Sequence, residues 1–109
     1  MCFQVWQHRF ADVLTRIEAA EALTYRGIDL YVKGRSAQSE ISMAKLFATE
    51  TALDVARECS QFQGGLGYME ECLMARLHRD ALALTIGAGT SEMMRGIIAK
   101  SNNLTASAT

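Results

Sequence analysis

The stretch TIGAGTSEMMR, Thr85 to Arg95, sets Gly87 and Gly89 on either side of one alanine, immediately before residues with helical spacing. A helix N-terminus exposes N–H groups and carries partial positive charge. A glycine-bordered turn feeding one is therefore a ready site for a phosphate, a carbonyl oxygen or a polarised ring. The glycines let a ligand approach the backbone, and Thr90 or Ser91 can cap the helix or bond that ligand. The pattern is not GxGxxG, and no Walker lysine follows it. QGGLGY, Gln63 to Tyr68, is a second glycine turn, flanked by the amides of Gln61 and Gln63. Its three glycines require at least one left-handed backbone position. On spacing alone, an ordinary turn between helices is the favoured reading of both segments.

Other constellations are weaker. A di-iron bundle needs Glu-x-x-His pairs on facing helices, and the sequence has none. Cys72 and His78 lie on one short segment with His8 far away, so no metal site is expected. Ser91, His78 and Asp80, or Cys59 and His8, lack a nucleophile elbow or an oriented base. His78 stands beside Arg76 and Arg79 and reads as a surface or interface histidine. Glu18, Glu21 and Asp29 read as solvent-facing charges alternating with Arg16 and Arg26. No catalytic residue is assigned.

The elements that position these turns are helices. Phe3, Trp6, Phe10, Val13, Ile17, Ala20, Thr24, Gly27 and Tyr31 recur at alternating intervals of three and four, which is a helical seam. Its side chains shrink along the chain, so a neighbouring backbone is expected closest near Thr24 and Gly27. Leu14, Leu23, Ile28, Leu30 and Val32 widen the apolar surface and predict contact with more than one helix. Gly34 suits a C-terminal cap, and Ser36 or Ser39 suits the next N-cap. A second helix is expected from about Ala37 to Phe62. Its stripe, Ile41, Ala44, Ala48, Thr51, Val55, Cys59 and Phe62, is small in the middle. Lys45, Glu50, Asp54, Arg57 and Glu58 read as its solvated face. A third helix is expected over Met69 to about Leu84 and a last one from about Thr90 to Lys100. SNNLTASAT reads as a frayed polar tail. Strand patterns and repeats are absent from the sequence. The expected fold is all-α, an antiparallel up-down bundle of about four helices, with residues 1–100 as the domain and 101–109 as the tail.

Bulk properties narrow the function classes. At 109 residues, the chain is one domain at most. Half the residues are hydrophobic, 21% are charged and the formal net charge is -1, which argues against a nucleic-acid partner. The cysteines, Cys2, Cys59 and Cys72, are odd in number and form no CxxC, so neither a disulfide framework nor a zinc knuckle is expected and a reducing cytoplasm fits. No apolar run approaches the roughly 20 residues of a membrane span, and MCFQVWQHRF has no signal-peptide core. Phe3, Val5, Trp6 and Phe10 are bulky for a chain start, so the sequence reads as beginning inside a helix, with apolar surface that predicts a homo-oligomer.

QFQGGLGYMEECLMARLHRDALALTIGAGTSEMMRGIIAK resembles the C-terminal signature of the acyl-CoA dehydrogenase family. The shared features are a Q-x-x-GG-x-GY turn (Gln61, Gly64, Gly65, Gly67, Tyr68), an arginine-rich helix with Arg76 and Arg79-Asp80-Ala81, and a loop Ala88-Gly89-Thr90-Ser91-Glu92 entering the last helix. FQVWQHRFADVLTRIEAAEALTYRG is similar to the family's "FQ" helix and MAKLFATETALDVA to the one after it, so the likeness runs from about Phe3 to Lys100. The resemblance implies a helical domain that follows two others and binds FAD. It also implies oxidation of an acyl-CoA at its α and β carbons, transfer of electrons to a further acceptor, and subunits assembled through this bundle. These belong to the catabolism of fatty acids or branched-chain amino acids. It implies FAD contacts from Gln4, from Gln61, Gly64 and Gly65 along a partner subunit's dinucleotide, and from Thr90, Ser91 and Glu92. It also implies passage of the acyl thioester at Ala88 and Gly89.

The sequence departs from the family in two places. Most members have the proton-abstracting glutamate where Ala88 stands. IGAGTSE is similar instead to the isovaleryl-CoA dehydrogenase type, whose base sits on an earlier helix expected before Met1. The arginine and Phe-Gly that precede the family's "FQ" motif are also missing. The alternative implied by these departures is a non-catalytic helical interaction module that kept the fold.

Overall fold

The computed structural model describes residues 4–105, and no strand occurs among them. Five helices follow in order: α1 (Gln4–Val32), α2 (Gln38–Gln63), α3 (Gly65–Tyr68), α4 (Leu73–Leu84) and α5 (Ser91–Ser101). The expected all-α antiparallel bundle is what forms, with one short extra helix. Phe3, Cys2 and the last four residues of the tail lie outside the described residues.

The connections follow from local chemistry. α1 ends at Gly34, whose φ is +72°. The Gly34 amide donates to Tyr31 at 3.0 Å and the Arg35 amide to Leu30 at 3.0 Å, the paired bonds of a Schellman cap. The serine cap expected for α2 is not used. Ala37 occupies the cap position without a side-chain bond. It is only 5% exposed, so the tight turn takes a small apolar residue there. Ser39 is already helical, and its hydroxyl accepts a 2.8 Å bond from the Asn102 amide group at the end of α5.

Gly64, at φ +65°, ends α2 as its glycine turn predicts. The helix expected from Met69 begins instead at Leu73. A Cβ on Gly67 would lie 2.7 Å from the Ser60 carbonyl oxygen, so this glycine lets the chain fold back on the last turns of α2 as the single turn α3. Met69 and Cys72 are then extended.

α2 is the hub on which α1, α4 and α5 pack, and α1 packs on no other helix among the described residues. All three run opposite to α2. Trp6 meets Phe62 at a ring separation of 5.1 Å, while Gly27 lies against Ile41. Lys45 reaches Leu84 at the end of α4, and α5 runs from Arg95 beside Glu50 to Asn102 beside Ser39.

Small residues make these approaches. Ala20 and Gly27 are the buried residues of α1, and a Cβ on Gly27 would sit 3.4 Å from Ile41, where the tapering seam predicts the closest approach. In α2, Ser42, Ala44, Thr51 and Ala56 are buried. Ala44 and Thr51 belong to the expected stripe; Ser42 and Ala56 lie off it, because α2 is covered from several sides. No large side chain is fully buried among the described residues. The second apolar face of α1 meets no other helix among the described residues, so Leu14, Ile28 and Val32 are exposed. A groove of about 590 Å³ runs along α2 between Ile17 and Ala20 of α1 and Leu77, Ala81 and Leu84 of α4.

Candidate functional site

The residues singled out by sequence fall into two groups at different heights on α2. The first is the loop from Thr85 to Thr90 with the start of α5. Thr90 is the N-cap, its hydroxyl accepting from the Met93 amide at 3.1 Å. The Ser91 amide donates to Thr85 across the base of the loop at 3.0 Å, and the Gly87 amide returns to Ala83 at 2.8 Å. Between these bonds, Ala88 has φ +56° and Gly89 φ +103°. An alanine in this region costs on the order of 1 kcal/mol, so the loop holds backbone strain at the position where the family places a glutamate. Glycine suits position 89 for its backbone angle; a Cβ there would lie 2.7 Å from the Met94 methyl carbon, the movable end of a flexible side chain. The amides of Ala88, Gly89 and Thr90 have no acceptor among the described residues.

Lys45 underlies this loop. Its Nζ donates to the Leu84 carbonyl at 2.9 Å and to the Gly89 carbonyl at 2.5 Å. A recess of about 350 Å³ beside the start of α5 is lined by Glu50, Asp54, Thr85, Ile86, Thr90, Ser91 and Glu92. Ser91 is 6% exposed and its hydroxyl lacks a partner, whereas Glu92 is exposed in the first turn of α5, where negative charge suits the helix dipole. Glu50 is held by Arg95 at 2.6 Å and Asp54 by Arg16 at 2.7 Å. Glu58 pairs with Arg9 at 3.6 Å. The charges of α2 that read as a solvated face are thus largely ties to the other helices.

The second group lies at the far end of α2. Gln61, Gly64 and Gly65 line a pocket of about 400 Å³ with Arg57, Ser60, Tyr68 and His78. A Cβ on Gly64 or Gly65 would meet nothing within 4 Å, so this backbone is open to a ligand. The Ser60 hydroxyl is covered and unpartnered beside it. Gln63 is engaged elsewhere, its side-chain oxygen accepting from the Cys72 thiol at 3.3 Å. Gln4 is exposed in the first turn of α1, at the same end of the molecule, where Trp6 and Phe10 each pack against Phe62 at 5.1 Å. Arg57 and His78 were not legible as site residues: Arg57 reads as a solvated charge of α2, and only the return of α4 past the end of α2 brings His78 to the glycines. Lys45 was missed for the same reason, its partners lying 39 and 44 residues away.

Asp54, beside Thr90 and Ser91, and Gln61 are seven residues apart on one helix, or about 10 Å. The two groups line separate recesses at different heights on α2. Among the described residues, no cluster of histidine, cysteine and carboxylate side chains suits a metal ion. No helix among them is long and apolar enough to cross a membrane.

The pattern of a glycine turn, an arginine-bearing helix and a capped glycine loop coincides with a known domain: the acyl-CoA dehydrogenase C-terminal domain model matches residues 1–102. The chain belongs to the acyl-CoA dehydrogenase family. It is 44% identical over 92 residues to an acyl-CoA dehydrogenase of Bacillus subtilis, covering 84% of this chain and 24% of that one. The acyl-CoA dehydrogenase of Geobacillus kaustophilus superposes with a TM-score of 0.89 at 42% identity, over 93% of this chain and 27% of the other. The FAD complex of PigA superposes with a TM-score of 0.89 at 27% identity, over 94% and 27%. The chain thus spans about a quarter of the length of the relatives it matches. The acyl-CoA dehydrogenase family is flavin dependent. In this member, the pocket at Gly64 and Gly65 fits such a group on its own chemistry: open glycine backbone, a spare hydroxyl at Ser60 and the side chains of Arg57 and His78.

Proposed function

We propose that this chain works as the C-terminal part of a flavin-dependent acyl-CoA dehydrogenase, supplying FAD contacts, part of the acyl-pocket wall and a subunit interface. The reading is carried by the division of the site into two half-sites that line separate recesses at different heights on α2. Gln61, Gly64 and Gly65, with Gln4 nearby, face one bound dinucleotide through open backbone and amide donors. Thr90, Ser91 and Glu92 serve another at the start of α5. Such separation suits a cofactor shared between subunits, each of which completes its neighbour's site. Bound FAD supplies the acceptor for the hydride that leaves the β carbon of the acyl group.

The chain's own contribution to that chemistry is binding and orientation. The free amides of Ala88, Gly89 and Thr90 are donors suited to the oxygen of a thioester carbonyl, a contact that strengthens as negative charge develops there. Ala88 and Gly89 keep side chains out of the thioester's path. Abstraction of the α proton needs a carboxylate; Glu50 and Asp54 are held in ion pairs with Arg95 and Arg16, and the loop's likeness to the isovaleryl-CoA dehydrogenase type implies a base on an earlier helix. The reduced enzyme passes electrons to a separate acceptor. Free Cys59 and Cys72 fit a reducing compartment.

The test is to mix the purified chain with FAD and an acyl-CoA and follow an artificial electron acceptor. No turnover is expected. Sustained turnover would show that a base is present and sink this assignment. The second reading, a stand-alone helical interaction module, is favoured by the exposed groove along α2; it predicts self-association with no response to FAD at either half-site.

A further inference from the structure

Lys45 stands on α2, yet both its acceptors belong to the glycine loop's frame. Leu84 is the last residue of α4, and Gly89 precedes the cap of α5. The ammonium satisfies a carbonyl at a helix C-terminus, where cations are favoured, and holds the opposite end of the loop by a second charge-assisted bond. A peptide group is planar and trans, so turning the Gly89 carbonyl toward Lys45 turns the Thr90 N–H away from it. The left-handed backbone at Ala88 and Gly89 persists only where its surroundings over-determine it. The Lys45 bonds and the Ser91-to-Thr85 bond close the loop on two sides. Neighbouring charges do not compete: Glu50 and Asp54 are occupied by arginines.

We propose that Lys45 is the positioning residue of the thioester-facing loop, its ammonium drawing the Gly89 carbonyl inward and so turning the free Thr90 amide outward, toward an acyl thioester. This rests on the reading that the thioester passes at Ala88 and Gly89. An ammonium carries three donors at the tip of a flexible stem, which suits two carbonyls on different elements.

The experiment uses the full chain, labelled with nitrogen-15, as wild type, Lys45→Met and Lys45→Arg. Methionine keeps most of the stem without the cation, and arginine restores donors. In Lys45→Met the Gly87 and Ser91 amides should exchange with solvent about tenfold faster, given the usual worth of a bond to a charged group. Amides in the middle of α1 should keep their rates, and Lys45→Arg should recover most of the protection. Unchanged loop exchange in Lys45→Met, acceleration spread evenly through the molecule, or no recovery with arginine would overturn the proposal. Butyryl-CoA is then titrated while the Ala88, Gly89 and Thr90 amide signals are followed. Wild type and Lys45→Arg should respond, with Lys45→Met weakened about tenfold, the loss of one such bond. An equal response in all three overturns Lys45's role alone. A wild-type loop blind to the thioester overturns the reading on which that role rests.

Discussion

The most informative residue of the glycine loop is Ala88, held at φ +56° beside Gly89 at φ +103°. These angles give opposite predictions for similar glycine substitutions. Gly89→Ala should lose about 1–2 kcal/mol, chiefly from the disfavoured backbone, since the Met94 methyl can move aside. Gly96→Ala should gain about 0.5–1 kcal/mol, because Gly96 lies inside α5 with open space where its Cβ would go. Denaturant midpoints at one fixed chain concentration compare the two, and a stabilised Gly89→Ala would contradict the loop geometry. The glycine pair was legible in sequence because φ freedom is a local property. Lys45 and His78 were not, because each reaches its site across another element, and Arg57 was not, because it reads as one more solvated charge of α2. Among ionised residues of a helical surface, spacing alone does not separate a solvated side chain from a tie.

At the scale of elements, the seams were legible where small residues recur in the helical period, and Gly27 against Ile41 falls where the α1 seam narrows. The α3 turn was not, since it depends on Gly67 meeting the Ser60 backbone, a tertiary contact that spacing does not encode. Gly67→Ala should therefore cost about 1–3 kcal/mol through overpacking and should loosen the Gly64–Gly65 pocket with it. Amide exchange around α3 reads this directly. Wild-type protection in Gly67→Ala would mean that α3 does not need the close approach. The Ser39 cap failed for a comparable reason: its hydroxyl is committed to Asn102, which ties α5 to the start of α2. A side chain with two uses gives a misleading capping signal when only one element is considered.

At the scale of the molecule, the chain exposes 8018 Å². A compact monomer of its 12.0 kDa exposes about 6,000 Å². Its radius of gyration is 17.0 Å, against about 13 Å for a compact domain of this length. The excess of about 2,000 Å² per chain is surface for partners: the rest of a longer enzyme, of whose relatives this chain spans a quarter, and a second copy, since the doubled area falls within the range of obligate homodimers. Sedimentation equilibrium is expected to give a dimer or larger species, and a well-behaved monomer across the concentration range would remove the interface from the account. The apolar residues of α1 made this surface legible in sequence. Which face meets which neighbour was not, because self-complementarity belongs to the assembled surface.

Two separate flavin-facing half-sites on one chain, as proposed, should both respond to FAD titrated to millimolar concentration into the nitrogen-15-labelled protein with each backbone amide followed. Signal changes are expected in two groups, one at Gln61, Gly64 and Gly65 and one at Thr90, Ser91 and Glu92, with the middle of α1 unaffected. Silence at both groups, or changes confined to the open groove between α1 and α4, would contradict the proposal.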